Sequence, residues 1–491
     1  MRKKLLCMLM ALVLGASIIA CSDKSPTGNN TDVKKGTPDY SQETGFLDID
    51  AWLGPKMSDA AYKEYVDCGY NMAHLYNGAV PVDTTSKSKT ALAEHFRLAK
   101  ANGVRLVLSM NALNANQTIA TPFKFMDSQW KSIFEQYKDD DTFYGYMPYD
   151  EPRVGFALNK NPDPAEAELR MQSDYADNFD YIRDEYLYFS EHYPGKAFEV
   201  VISGGPNKGE FPSDFHGKVK TLDEYMDYYN KKVADYMPAT DRIYSFDSYP
   251  FTADSSGELY MKNSGYFGTL ENHSLLLKKK NAAQKWAYIQ NENCIYNTAS
   301  VLYQYYTAMC YGYTHFVTYC YDSEWCDDGQ GSIDPKGNKT DSYYYFQNAH
   351  REIRSFENVY CAFAKGWVGT LGYYGSARPD NSEKGWAAGD VPWEYTSYML
   401  ESYPRIASVS STQDLAIGVF KDKDDYEGFM VSNQVAPFAN THNSVKIKFN
   451  NADKAIIYID GNEAKTVTLD DGVLELDLKS GGGAFVIPIS E

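Results

Sequence analysis

The segment Tyr144-Gly145-Tyr146-Met147-Pro148-Tyr149-Asp150-Glu151-Pro152 ends on two adjacent carboxylates set between aromatic rings and a proline. That combination suits general acid–base work. A neighbouring negative charge and partial burial both favour a protonated carboxyl group, so Glu151 could hold a proton near neutral pH and deliver it. The same acids could instead cap a helix that starts after Pro152. Two further stretches set carboxylates beside aromatics: Phe246-Asp247-Ser248-Tyr249-Pro250, and Gln290-Asn291-Glu292 after Trp286-Ala287-Tyr288-Ile289. Asp48, Asp50 and Trp52, then His74, Tyr76 and Asn77, then Asn111, close other short apolar runs, as do Tyr319, Tyr321 and Trp325 later. Flat rings next to Asp, Asn and Gln suit a ligand with C–H faces and many hydroxyls. Most of these rings could equally serve the core, whereas Trp325, in a polar loop, reads as a platform. The acidic run from Asp327 to Asp334 lacks the terminal glutamate of a calcium loop, and no HExxH, Walker or GxSxG pattern occurs, so no metal or cofactor is expected.

For such residues to converge, one scaffold must deliver them to one end. The spacing predicts strands over Phe46–Asp50, Asn71–Tyr76, Arg105–Met110, Phe143–Tyr149, Phe198–Ser203, Arg242–Phe246, Lys285–Gln290 and His315–Tyr319. Helical periodicity lies between them, over Ser58–Cys68, Lys89–Asn102, Asp127–Tyr137, Ala165–His192, Leu222–Tyr236, Tyr266–Asn281, Ala299–Tyr311 and Ser342–Phe356. Eight alternations predict a TIM (β/α)8 barrel over 45–362, whose strand C-termini form the site. A doubly wound sheet would carry a Gly-rich loop after its first strand; Asp48, Asp50 and Trp52 stand there instead. From 363 to 491 the helical pattern gives way to short strands separated by turns such as Asp460-Gly461-Asn462, which predicts an all-β sandwich. That second domain has few aromatics after Phe438, so it is expected to brace the barrel rather than bind ligand.

Taken in order, these motifs resemble the clan A glycoside hydrolases. Asp150-Glu151-Pro152 is similar to the strand-four signature that carries the acid/base glutamate in that family. The stretch Arg242–Phe251 resembles the "D-x-YP" end of its strand six, Lys285–Gln290 its "FW-x-x-x-Q/E" strand seven, and Gly312–Tyr319 its strand eight. The resemblance spans roughly 45–362 and implies hydrolysis of O-glycosidic bonds in an extracellular oligo- or polysaccharide. It implies Glu151 as acid/base and places Asp50, Trp52, His74, Asn111, Asp150, Asp247, Tyr249, Gln290, Tyr319 and Trp325 around the substrate. One departure stands out. The family's strand-seven nucleophile falls on Gln290, which cannot attack an anomeric carbon. Glu292, two residues on, could replace it in a retaining reaction, or it could cap the helix near Asn297; Asp247 is the reserve, as base of an inverting one. A barrel that captures glycan without cleaving it is the alternative.

Composition sets the surroundings. The 491 residues hold 47 Lys+Arg against 66 Asp+Glu, a net charge of −19, which argues against nucleic-acid binding. Arg2, Lys3 and Lys4 precede an apolar run ending at Ile18-Ile19-Ala20-Cys21, which resembles a bacterial lipobox. Residues 1–20 then form a signal peptide, Cys21 takes lipid, and polar residues 21–44 tether the protein outside the cytoplasm to the membrane. Six cysteines remain beyond Cys21, too sparse for a disulfide framework; Cys320 and Cys326 could form a local bridge.

Overall fold

The computed structural model describes residues 33–75, 86–109, 131–150, 152, 178–203, 221–253, 259–261, 264–280, 283–291, 295–325, 330–373, 375–376, 398–399 and 403–491. Residues 34–491 form one compact unit. Its first part is a parallel barrel. Strands β1 (Asp48–Ala51), β2 (Met72–Leu75), β3 (Arg105–Ser109), β4 (Phe143–Asp150), β5 (Ala197–Ser203) and β6 (Ile243–Asp247) come first. A small antiparallel hairpin, β7 (Phe251–Ala253) and β8 (Leu259–Met261), precedes the last two barrel strands, β9 (Gln284–Gln290) and β10 (His315–Tyr319). The sheet order is β1-β10-β9-β6-β5-β4-β3-β2, with every neighbouring pair parallel.

The seam between β1 and β2 is closed largely by one side chain. Asn71 Oδ1 accepts from Ile49 N at 2.8 Å, its Nδ2 donates to Leu47 O at 3.0 Å, and its own backbone N donates to Ile49 O at 3.0 Å. An amide there supplies the donor and acceptor that a short strand cannot.

Among the described residues, a helix follows each barrel strand: α1 (Asp59–Asp67), α2 (Ser86–Ala101), α3 (Lys131–Tyr137), α4 (Asn178–His192), α5 (Leu222–Lys232), α6 (Ser264–Lys280), α7 (Thr298–Cys310) and α8 (Asp341–Arg354). Polar caps start several of them. Ser58 accepts from Ala61 N, Thr221 from Glu224 N and Asn297 from Ser300 N, each satisfying an otherwise orphaned amide. Helix α7 is unusual: every residue from Ser300 to Cys310 is buried. A helix apolar on all sides needs cover on all sides.

The second part supplies that cover. A further helix, α9 (Glu357–Ala364), leads into β11 (Trp367–Tyr373). The strands that follow are β12 (Tyr398–Met399), β13 (Ile406–Ser411), β14 (Leu415–Lys421), β15 (Glu427–Asn433) and β16 (Asn443–Phe449). The last four are β17 (Lys454–Ile459), β18 (Lys465–Thr468), β19 (Val473–Leu478) and β20 (Gly483–Ile489). They form a seven-stranded sheet, β12-β11-β14-β15-β20-β17-β18, over a three-stranded one, β13-β16-β19. Period-two alternation splits the large sheet's side chains between two cores. Ala416, Phe420, Phe485 and Ile487 join the barrel's core, while Leu415, Ile417, Val419, Ala484 and Val486 face the small sheet. On the barrel side Gly418 lies so close to α7 that a Cβ there would sit 2.3 Å from Cys310 O. At Gly481 the approach is tighter still, 2.0 Å from Ala299 O, with φ at +66°. Lys479 Nζ closes the interface on Glu352 at 2.6 Å, and Tyr306 donates to the other oxygen of the same carboxylate at 3.0 Å.

The amino-terminal stretch differs from expectation. Residues 34–44, which the polar composition assigns to the tether, are held against the β-domain. Lys35 bridges Ser490, Gly36 N donates to Ser490 O at 2.9 Å, and Tyr40 donates to Asp422 at 2.8 Å with its ring 5.3 Å from Phe363. A single half-buried tyrosine among polar residues is what pins the segment.

Gly418→Ala should push β14 off α7. Overpacking of this kind costs about 1–3 kcal/mol, to be read as a lower urea midpoint with an unchanged m-value. A chain ended at residue 362 would uncover one side of α7 and should be insoluble; a soluble fragment with the native Tm would show that the β-domain does not brace the barrel.

Candidate active site

Inside the barrel, side chains alternate in and out along each strand, and those pointing in stack in layers. The lowest layer pairs Arg105 with Asp48, and the guanidinium lies 5.0 Å from the Tyr144 ring and 5.2 Å from Phe46. Gln284 Oε1 accepts from Trp286 Nε1 at 2.7 Å, and Gln284 Nε2 donates to the Tyr144 hydroxyl at 2.9 Å.

The next layer is ionic. His74 lies between two carboxylates, Nδ1 2.9 Å from Asp50 and Nε2 2.8 Å from Glu199, and all three side chains are wholly buried. Burial alone would drive the imidazole pKa down, but the charges of Asp50 and then Glu199 outweigh it and push it up to about 10. Asp50 is likewise held below its ordinary value: burial opposes ionisation, and His74 and His315 overcome it. Ser245 donates to the far oxygen of Glu199 at 2.7 Å, and Ala51 N to Asp50 at 2.7 Å. His315 stacks on Trp286 at 3.6 Å and lies 3.7 Å from both Asp48 and Asp50.

Above the ions come rings. Trp52 packs 5.4 Å from His74 and 6.2 Å from Tyr288. Burial first, then the charges of Glu199, Asp150 and others, raise the Tyr288 phenol well above its ordinary pKa, so it stays a neutral hydroxyl between the ion layer and the rim. At the rim, the C-terminal edge of the strands, Asp150 is exposed at the end of β4 and Asp247 half-buried at the end of β6. The half-buried rings of Tyr249 and Tyr319 lie 6.0 Å apart across the same edge. The Tyr319–Cys320 peptide is cis, and Cys320 is disulfide-bonded to a cysteine outside the described residues, which include neither Cys294 nor Cys326.

The rim thus brings together Asp150, Asp247, Tyr249 and Tyr319 from the expected set. Asp50 and His74 are not among them. Read from sequence as substrate contacts, they are sealed below the rim, because each neutralises the other's charge. Trp52 is buried as their lid. Gln290 is also diverted. Its Oε1 accepts from Phe251 N and its Nε2 donates to Phe251 O, both at 3.1 Å, so the amide is spent on β7. Glu151, Glu292, Asn111 and Cys21 lie outside the described residues, and so does the side chain of Trp325.

Sequence reading misses Glu199, Ser245 and His315. A signal for the first exists: Phe198-Glu199-Val200-Val201-Ile202 buries one acid in an apolar strand, which demands a partner. Among the described residues no group of three His, Cys, Asp or Glu could hold a metal ion.

No family model matches the chain, and no curated protein does. Solved structures similar to it include a "glycoside hydrolase" at 11% identity and TM-score 0.49, covering 91% of this chain and 93% of that one. Another is a glycoside hydrolase family 5 protein from Bacteroides vulgatus, at 10% identity and TM-score 0.49, with 91% and 89% covered. A third is the endo-β-1,4-mannanase of Thermotoga petrophila, at 11% and 0.39, with 90% and 92% covered.

Outside the barrel wall, β9 turns Lys285 the other way. Its ammonium donates to Ser274 at 2.9 Å and lies 4.9 Å from Tyr313 and 5.1 Å from Trp367; burial, opposed by Glu271, lowers its pKa to about 7. The two buried cations give opposite pH dependences. His74 titrates at about 10 folded against 6.5 unfolded, so its stabilisation is complete below 6.5 and is lost as pH rises through 10. Lys285 titrates at about 7 folded against 10.5 unfolded, so its destabilisation is complete below 7 and vanishes as pH rises through 10.5. Across the shared window each slope approaches ~1.4 kcal/mol per pH unit, with opposite sign. Lys285→Met should leave an unfolding free energy that falls with pH from 7 to 10; His74→Gln, destabilised by about 3–5 kcal/mol, should leave one that rises. Parallel urea profiles in the two variants would contradict both assignments.

Proposed function

We propose that this chain is a lipid-anchored, extracytoplasmic glycoside hydrolase acting on oligo- or polysaccharide. The observation that supports it best is a convergence of strand ends. Strands β4, β6 and β9 finish on one edge of the barrel, with Tyr249 and Tyr319 beside them. The residues next in sequence after Asp150 and Asn291 are Glu151 and Glu292.

In this reading Glu151 protonates the glycosidic oxygen while Glu292 attacks the anomeric carbon. Glu151 then acts as base, removing a proton from the water that releases the sugar. Such a double displacement needs the two carboxyl groups ~5–5.5 Å apart. Asp247 accepts a substrate hydroxyl, or serves as base if the reaction inverts. Lipid on Cys21 holds the enzyme at the membrane. Among the described residues no helix is long and apolar enough to cross one.

Glu151→Gln keeps the shape and removes the proton, and should lower kcat about 10²–10⁴-fold. Hydrolysis at the wild-type rate would overturn the acid/base assignment. Cys21→Ser should move the protein from the membrane fraction to the soluble fraction. A second reading, glycan capture without cleavage, is favoured by Gln290: the residue in the nucleophile register is uncharged and already bonded to Phe251. A wild-type protein that retains oligosaccharides on a gel but releases no reducing ends would establish it.

A further inference from the structure

A cavity of about 320 Å³ opens on the same end of the barrel but to one side, between the start of α7 and the start of α8. It is at the small end of the ~300–1,000 Å³ typical of ligand sites. The floor is rigid. Asn291 is buried and donates to Cys320 O at 2.7 Å and to Ser332 at 3.0 Å, while Ser342 donates to it in turn. Thr340 donates to Gly331 O at 2.7 Å and ties the loop down over that floor.

The wall is different in kind. Tyr296 is 54% exposed, an unusual position for a ring that sits beside a cavity instead of in a core, and half-buried Tyr345 and Ile295 line the cavity with it. Two carboxylates border the space. Asp334 is committed to its own loop, accepting from Asn338 N at 2.8 Å and Asn338 Nδ2 at 2.9 Å; Asp341 is exposed in the first turn of α8.

We infer that this cavity is a sugar-holding site distinct from the rim formed by Asp150, Asp247, Tyr249 and Tyr319, and that it selects uncharged glycan. Tyr296 and Tyr345 offer ring faces to the C–H side of a pyranose, and Asp341 and the tyrosine hydroxyls take its hydroxyls. The bordering carboxylates, on a chain of net charge −19, repel uronic acids. The inference rests on the glycan-directed reading above, though not on hydrolysis. None of Asp150, Asp247, Tyr249 and Tyr319 lines the cavity, so the site holds a part of the glycan beyond the rim and contributes affinity for polymer.

The test uses the full-length protein carrying Glu151→Gln, so that no probe is consumed. Galactomannan, arabinoxylan, dextran and pullulan are compared with polygalacturonate by affinity electrophoresis. At least one neutral polymer should retard the protein and polygalacturonate should not. Tyr296→Ala should weaken that retention at least five-fold, and Tyr296→Phe, which keeps the ring, should restore it. With Glu151 intact, Tyr296→Ala should raise KM on the retained polymer and leave kcat on a short aryl glycoside unchanged. Retention unaffected by Tyr296→Ala, or retention of polygalacturonate alone, would overturn the site. Absence of hydrolysis with Tyr296-dependent retention would overturn the hydrolase reading and leave the site standing.

Discussion

The barrel depends on an imidazolium held between two carboxylates where no water reaches. Asp50, His74 and Glu199 come from β1, β2 and β5, and none could stay buried alone. An isolated carboxylate there would take up a proton and an isolated histidine would lose one. Together they oblige strands that are far apart in sequence to keep one register. A one-residue slip of β2 would turn His74 to the helices and leave two anions facing each other. The stacked Trp286 and His315 and the Asp48–Arg105 pair extend that constraint to the floor of the barrel.

A second dependency runs outward. Burying α7 from Ser300 to Cys310 is possible only because the large sheet of the β-domain lies on it, with glycines at points of close approach. The two halves of the chain therefore share a core, and Phe420, Phe485 and Ile487 belong to the same cluster as the barrel's own helices. The apolar character of Val301, Leu302, Ala308 and Met309 already announces such a cover in the sequence.

Much of the fold was legible because periodicity is local. The eight barrel strands fall within a few residues of where their patterns place them, and so do the described parts of the helices; 127–130 and 165–177, expected to be helical, lie outside the described residues. The β-ladder also falls in place, since Val473–Leu478 alternates buried and exposed as its spacing requires. The candidate site was legible only in part. Asp150 and Asp247 reach the rim because strand ends are readable from turn residues. Asp50 and His74 were misplaced because strand reading gives the face of a side chain but not its height in the barrel. Which of the polar residues along a strand lies under the rim depends on how strands stagger, and no local pattern carries that. Gln290 lies at the end of β9, as its strand pattern predicts, but its bond to Phe251 depends on a hairpin contributed from elsewhere.

This distribution of charge narrows the chemistry. A carboxylate can act on a substrate only if its charge is not already committed and the substrate can reach it. Asp50 and Glu199 fail on both counts, and Asp48 is committed to Arg105. Among the described residues, Asp150 and Asp247 stand instead at the ends of β4 and β6, on the barrel's C-terminal edge. The barrel thus excludes its interior acids from catalysis by using them to hold itself together.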